Sequence, residues 1–119
     1  MPLFQQATLV ELISELGKED AAEVLKIFLA DTSSKMGAIA SDLRARSTIK
    51  REAHSIKSSS ATFGFLELSR LARELESGAE AMSPAELQES AGKLRHAFER
   101  TERFARANLL TSDPEIAAA

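Results

Sequence analysis

One histidine and one lysine stand three residues apart in the stretch His54–Gly64, which reads His-Ser-Ile-Lys-Ser-Ser-Ser-Ala-Thr-Phe-Gly. On an α-helix, residues three and four apart are neighbours, so His54 and Lys57 would share one face. The other members of that face are small, namely Ser58 and Ala61, and leave room for a second protein to approach. A neutral imidazole is a nucleophile at physiological pH, and a nearby ammonium group can stabilise charge on phosphoryl oxygens. The spacing therefore indicates an exposed histidine able to accept a phosphoryl group.

The opposite face of the same helix carries an apolar stripe with helical spacing, made of Ile49, Ala53, Ile56, Ser60 and Phe63. A stripe of this kind packs against other helices, so the face with His54 and Lys57 is predicted to point to solvent. Gly64 follows the stripe in the place where a left-handed glycine commonly ends a helix. The sequence therefore predicts a helix that ends at Gly64 and presents His54 outward.

Other kinds of active site find little support in the sequence. The chain has no cysteine and only two histidines, His54 and His96, and it lacks a glycine-rich phosphate loop. A di-iron helical bundle needs a Glu-x-x-His motif on each of two helices, and neither histidine provides one. His96 lies beside the apolar stripe of its helix, which favours a surface position. Two histidines are therefore too few for a histidine-based zinc site without help from carboxylates.

Two helices are predicted before the His54 helix. Thr8 and Glu11 have the spacing of a capping box, which would begin a short helix that ends at Gly17. A second helix would begin near Lys18, where acidic residues in the first turn are favourable. Its buried stripe would consist of Ala21, Leu25, Phe28, Thr32, Met36, Ile39 and Leu43.

The His54 helix is predicted to follow a short connection and to lead directly into another helix. Residues 46–48 read as the connection, where Ser47 or Thr48 could cap the helix. A fourth helix would begin directly after Gly64 and continue to about Glu76, because leucines recur there at helical spacing.

The clearest helix start in the chain is Ser83 as N-cap, followed by Pro84 and by Glu86 at the third helical position. No segment shows the strict alternation of a strand. The predicted fold class is therefore all-α, an antiparallel up-down four-helix bundle with a short additional N-terminal helix. Residues 1–110 would form the single domain, and residues 111–119 a flexible C-terminal tail.

Composition and charge narrow the choice of partners. No apolar run in the 119 residues approaches the roughly 18 that a membrane span needs. A secretory signal is not evident either, so a cytoplasmic protein is predicted. The net charge of −3 is too small to indicate a nucleic-acid partner. Between Arg44 and Gly64, however, five cations stand against one anion, and this local balance of +4 would attract an acidic partner surface.

The stretch His54–Gly64 resembles the signature of histidine-containing phosphotransfer (HPt) domains, which usually reads His-x-Leu-Lys-Gly-Ser-(Ala/Ser)-x-x-aliphatic-Gly. It falls on the third of five predicted helices and is preceded by Ala53. A leucine-rich helix that ends in Leu75-Glu76 follows it. The similarity of pattern extends over roughly residues 9–110.

The resemblance implies that His54 accepts a phosphoryl group on Nε2 and exchanges it with an aspartate of a receiver domain. Such a module is a phosphocarrier that hydrolyses no ATP, binds no metal itself and has no cofactor, and the receiver domain supplies the Mg²⁺. Lys57 would be the cation that faces the phosphoryl group. Glu76 matches a glutamate that in some members hydrogen-bonds the histidine ring and raises its basicity. The implied partners are receiver domains of a hybrid histidine kinase and of response regulators, and the implied state is a monomer.

Two positions depart from related patterns. Ser58 stands where the family usually has glycine, and it is small enough to remain compatible. The segments around Ala53 and Phe65 also resemble the phosphorylatable N-terminal domain of chemotaxis-type histidine kinases, but Arg73 occupies a place where those domains often carry a second histidine. That kinase domain, and a non-phosphorylated helical adaptor that binds receiver domains, remain the alternatives.

The docking surface for a partner is predicted to extend beyond His54 and Lys57. The third helix would contribute their neighbours, which are Lys50, Arg51, Ser55, Ser58, Ala61 and Thr62. Parts of the second helix would lie alongside, and the candidates there are Ser33 and Lys35, together with Thr32 and Met36 if these two are not part of the core.

Overall fold

The structure is a computed structural model that describes residues 4–110. Within that range it contains five α-helices and no strand, so the predicted all-α class is confirmed. The helices are α1 (Gln6–Leu16), α2 (Lys18–Ser41), α3 (Arg46–Phe63), α4 (Leu66–Gly78) and α5 (Pro84–Asn108). The predicted flexible tail at 111–119 lies outside the described residues.

The four longer helices surround one apolar core. Helix α2 contacts α3, α3 contacts α4, α4 contacts α5, and α5 contacts α2. Helix α1 packs on α2 and α3. The predicted stripe of α3 is buried along its whole length. Aromatic rings join the elements at one end of the core, where the ring centroids of Phe28 and Phe63 are 4.9 Å apart and those of Phe4 and Phe65 are 5.5 Å apart. The core thus fixes α3 with its His54 face outward.

Helix α2 buries its predicted stripe except near its end, since the helix stops at Ser41 and Leu43 is only half-buried. Thr32 and Met36 belong to this buried set, so of the two alternatives for them the core is confirmed and the docking surface is excluded. Both lie on the stripe that packs into the bundle. Ser33 is exposed, and Lys35 forms an ion pair with Asp31 of its own helix.

The predicted start of α1 is wrong. The helix begins at Gln6 rather than after Thr8, and it has no side-chain N-cap. The Gln5 backbone N–H donates to the Gly64 carbonyl at 2.7 Å, which fixes the chain just before the helix. The Thr8 hydroxyl donates to Gln5 Oε1 within the first turn, so no capping box with Glu11 forms.

The predicted start of α3 is wrong as well. Residues 46–48 are helical, so neither Ser47 nor Thr48 is the N-cap. The Arg46 guanidinium donates to the carbonyls of Ala79 at 2.8 Å and Met82 at 2.6 Å, in the segment that joins α4 to α5. These contacts hold the first turn of α3 against that segment, and they replace the side-chain cap that the sequence suggested.

The predicted start of α5 is confirmed. The Glu86 N–H donates to Ser83 Oγ at 3.1 Å, and the Ser83 N–H donates to Glu86 Oε1 at 2.8 Å. Pro84 occupies the first helical position, where its missing N–H costs no hydrogen bond. Local side-chain chemistry thus caps this helix end.

None of the helices in the described range is both long enough and apolar enough to cross a membrane.

Gly64 ends α3 in the left-handed conformation, with φ of +81°. A Cβ placed there would lie 2.7 Å from the Gln5 carbonyl oxygen and 3.0 Å from Thr8 Cβ. The position therefore excludes side chains for two reasons, the backbone conformation and the close approach of the N-terminal segment.

We expect Gly64→Ala to lower the free energy of unfolding by about 2 kcal/mol, because a left-handed alanine alone costs roughly 1–2 kcal/mol. Chemical denaturation measures this loss. Gly37→Ala is the matched control, since a Cβ at Gly37 of α2 meets nothing within 4 Å. Alanine is the better helix former, so Gly37→Ala should leave stability unchanged or raise it slightly. Equal effects at the two glycines would contradict this explanation.

Candidate functional site

The face of α3 that carries His54 lies beside α4. The Ser69 hydroxyl donates to the Lys57 carbonyl at 2.9 Å, and Lys50 Nζ lies 3.4 Å from Glu80 Oε1. Glu76, later on α4 than Ser69, meets His54, earlier on α3 than Lys57, so the two helices run antiparallel. His54 lies on this side of α3 with 61% of its side chain exposed.

Glu76 of α4 connects the two candidate residues of α3. Its Oε2 lies 2.5 Å from His54 Nδ1, and its Oε1 accepts a hydrogen bond from Lys57 Nζ at 2.7 Å. An ionised carboxylate only accepts hydrogen bonds, so His54 Nδ1 must carry the proton. In the neutral ring Nε2 then keeps the lone pair. The contact with Glu76 therefore directs the nucleophilic nitrogen away from α4.

The pKa of Glu76 is lowered from its ordinary value. The hydrogen bond from Lys57 is the largest cause, the hydrogen bond from His54 acts in the same direction, and burial opposes both. Only 17% of the Glu76 side chain is exposed. Glu76 is therefore ionised at physiological pH, as its role as acceptor for Nδ1–H requires.

Lys57 is less open than the sequence suggested. Its side chain is 26% exposed, and its ammonium group is bound to Glu76 rather than free in solvent. The prediction that it points to solvent is therefore wrong in part. It does lie on the same side of α3 as His54, because one carboxylate binds both.

The other predicted docking residues of α3 differ in exposure. Ser55 is half-buried. The other five are exposed, namely Lys50, Arg51, Ser58, Ala61 and Thr62. The Thr62 hydroxyl donates to the Ser58 carbonyl at 3.1 Å, so it is engaged within its own helix. No structural observation shows that a partner touches these residues, and their role in docking stays a prediction.

The positive charge of the His54 stretch is partly offset by two glutamates, Glu76 on α4 and Glu80 just after it. Glu76 binds Lys57, and Glu80 lies near Lys50, while Arg46 is directed to backbone carbonyls. The local balance of +4 covers only residues 44–64 of the sequence, and Glu80 lies outside that range. The surface around His54 is consequently less basic than the stretch itself.

His96 is exposed on α5, where it borders a groove with Arg70 and Arg100. Arg70 lies six residues before Glu76, about 120° around α4 from it, and borders α5. The two histidines therefore belong to separate surfaces. In the described part of the chain, no group of three or more His, Asp or Glu side chains is placed to hold a metal ion.

Comparison with known proteins identifies the family of this bundle. A family model described as the Hpt domain matches residues 23–110, which include all of α3, α4 and α5. No curated protein and no solved structure shows significant similarity to the chain. Members of this family carry out histidine phosphotransfer in phosphorelays, as carriers without kinase activity of their own, and interact with receiver domains and kinases. Because the matched residues span most of the sequence, the chain belongs to the Hpt domain family.

Proposed function

We propose that this protein accepts a phosphoryl group on Nε2 of His54 and passes it to an aspartate of a receiver domain. The observation that carries the proposal is the Glu76 bridge, which holds Nδ1 at 2.5 Å while the ring stays largely exposed. A bound Nδ1 and an open Nε2 are what a histidine needs to take a group from a second protein.

The transfer requires only the two proteins and the metal ion of the receiver. The Nε2 lone pair attacks the phosphorus of the receiver's aspartyl phosphate, and the P–O bond breaks with its electron pair returning to the carboxylate. The ring of His54 becomes a phospho-imidazolium whose Nδ1–H stays on Glu76. The negative charge of Glu76 stabilises this cation. In the onward step the N–P bond breaks, its electrons return to Nε2, and the next receiver aspartate takes the phosphoryl group.

The partners in this proposal are receiver domains of a hybrid histidine kinase and of response regulators. The receiver supplies the Mg²⁺ and the acidic pocket, and the protein itself needs no cofactor. Exposed Arg51, Ser58 and Ala61 surround His54 on α3 and would form the centre of the contact. Transient contacts of this kind are often small and weak.

The arrangement of the helices, the oligomeric state and the location of the protein also belong to this proposal. We propose that α2 to α5 form an antiparallel up-down bundle, because α3 and α4 are antiparallel and the four helices contact one another in a ring. The protein would act as a monomer in the cytoplasm, with residues 1–110 as its domain.

The proposal is tested by incubating the protein with a phosphorylated receiver domain and Mg²⁺ and measuring its intact mass. We expect a gain of one phosphoryl group that disappears in acid, as expected for phosphohistidine. A protein that binds the receiver and gains no mass would instead be a helical adaptor.

We expect Lys57→Ala to slow the transfer about fivefold, since it removes a cation from the edge of the site. Part of the charge of Lys57 is already offset by Glu76, which keeps the effect moderate. Rapid-quench measurement of labelled protein gives the rate. Lys26→Ala is the control, because Lys26 is exposed on α2 and has no ion pair with a described residue. Equal rates for the Lys57 variant and wild type would show that this lysine only serves the structure.

A further inference from the structure

Helices α3 and α4 carry six cationic side chains besides His54, and five of them are engaged. The engaged ones are Arg46 with backbone carbonyls, Lys50 with Glu80, Arg51 with Glu52, Lys57 with Glu76 and Arg70 with Glu74. The sixth, Arg73 of α4, is exposed and has neither an ion pair nor a hydrogen bond with any side chain in the described range. As far as residues 4–110 are concerned, its guanidinium is available for a ligand.

The position of Arg73 follows from its neighbours on α4. Ser69, four residues earlier, donates to the Lys57 carbonyl, and Glu76, three residues later, binds both His54 and Lys57. Residues three and four apart share one helix face, so Arg73 lies on the side of α4 that borders α3. Packed helix axes are about 8–10 Å apart, and an arginine extending from α4 together with a histidine extending from α3 covers that distance. The guanidinium can therefore reach the exposed edge of the His54 ring.

A phosphoryl group on His54 would bring nearly two negative charges to this edge. The nearest cation, Lys57, is bound to Glu76, so that pair offers little net charge. A guanidinium without a carboxylate partner is attracted more strongly, and its planar fork fits two phosphoryl oxygens at once. Arg73 therefore suits a phosphoryl group on His54 better than Lys57 does.

We propose that Arg73 is a second phosphoryl-binding residue, whose guanidinium donates hydrogen bonds to the phosphoryl oxygens once His54 is modified. This inference rests on the proposed function of His54. The Glu76–Lys57 hydrogen bond stays intact in the phosphorylated protein, because Arg73 supplies the added charge. The unmodified protein does not depend on Arg73, which is exposed and unpaired among the described residues.

The test uses phosphoramidate, a small donor that modifies histidine without a partner protein. Nε2 attacks its phosphorus, the P–N bond breaks and ammonia leaves. Wild type, Arg73→Ala and Arg73→Lys are labelled on His54, and the ³¹P resonance of each is followed against pH. Arg103→Ala is the control, since Arg103 is exposed on α5 and has no ion pair in the described part of the chain.

We expect the midpoint of the phosphoryl titration to rise by about half a pH unit in Arg73→Ala, equivalent to a threefold weaker preference for the dianion. Arg73→Lys should fall between the alanine variant and wild type, and Arg103→Ala should match wild type. The difference should shrink in high salt, because the contact is exposed.

The outcomes separate this inference from the proposed function. An unchanged midpoint in labelled Arg73→Ala would overturn the role of Arg73 and leave His54 as the acceptor. An equal rise in Arg103→Ala would also overturn it, since overall charge would then explain the effect. A wild-type protein that takes no label on His54, from phosphoramidate or from a phosphorylated receiver, would overturn the proposed function and this inference with it.

Discussion

Replacing His54 by glutamine is expected to abolish phosphoryl uptake from a phosphorylated receiver. The amide of glutamine resembles the imidazole in polarity but has no nucleophilic lone pair on nitrogen, so no N–P bond can form. The fold should persist, because the His54 side chain is 61% exposed and contacts the bundle mainly through Glu76. Intact-mass analysis after incubation with the phosphorylated receiver and Mg²⁺ measures uptake.

The matched control for this prediction is His96→Gln, which removes the other exposed histidine of the described chain. That variant should take up phosphoryl groups at the wild-type rate. Label retained by His54→Gln would refute the assignment of the acceptor, and loss of label in His96→Gln would point to the α4–α5 groove instead.

Replacing Glu76 by alanine is expected to slow phosphoryl transfer to His54 by about 10- to 100-fold. Hydrogen bonds to charged groups contribute about 1.5–3 kcal/mol, and each 1.4 kcal/mol or so corresponds to tenfold in rate. Without Glu76, neither ring tautomer is favoured by a partner and the phospho-imidazolium loses its counter-charge. Glu76→Gln should fall between wild type and Glu76→Ala, because its amide oxygen can still accept the Nδ1–H.

The control for Glu76 is Glu80→Ala. Glu80 is the next glutamate along the chain and lies just after α4, where it is exposed and its Oε1 is 3.4 Å from Lys50 Nζ. We expect this variant to transfer at nearly the wild-type rate, since exposed ion pairs contribute little. Rapid-quench assays with one receiver domain measure the transfer rates of Glu76→Ala, Glu76→Gln and Glu80→Ala. Equal rates for Glu76→Ala and Glu80→Ala would contradict the role given to the bridge.

The features of the fold that were predictable from sequence are those set by local patterns. The apolar stripe of α3 and the Ser83 cap depend on residues within one or two turns of each other, and both were predicted correctly. The starts of α1 and α3 were not, because distant contacts set them. Gln5 is fixed by the Gly64 carbonyl, and Arg46 is held by carbonyls more than 30 residues away.

The residues of the candidate site show the same difference between local and distant contacts. His54 and Lys57 are one turn apart, so helical spacing alone places them on the same side of α3. Glu76 is 22 residues from His54, and only the family resemblance pointed to it. The reach of its carboxylate to both side chains, and the resulting half-burial of Lys57, depend on how α3 packs on α4. Helical spacing within α3 carries no information about that packing.

The most direct test of the central claim is NMR of protein labelled with ¹⁵N at histidine, recorded before and after phosphorylation. In the unmodified neutral ring of His54 we expect the proton on Nδ1, held by Glu76, and a bare Nε2. After reaction with a phosphorylated receiver we expect the phosphoryl group on Nε2 of His54 alone. A phosphoryl group on Nδ1, or on any other residue, would contradict the proposed mechanism.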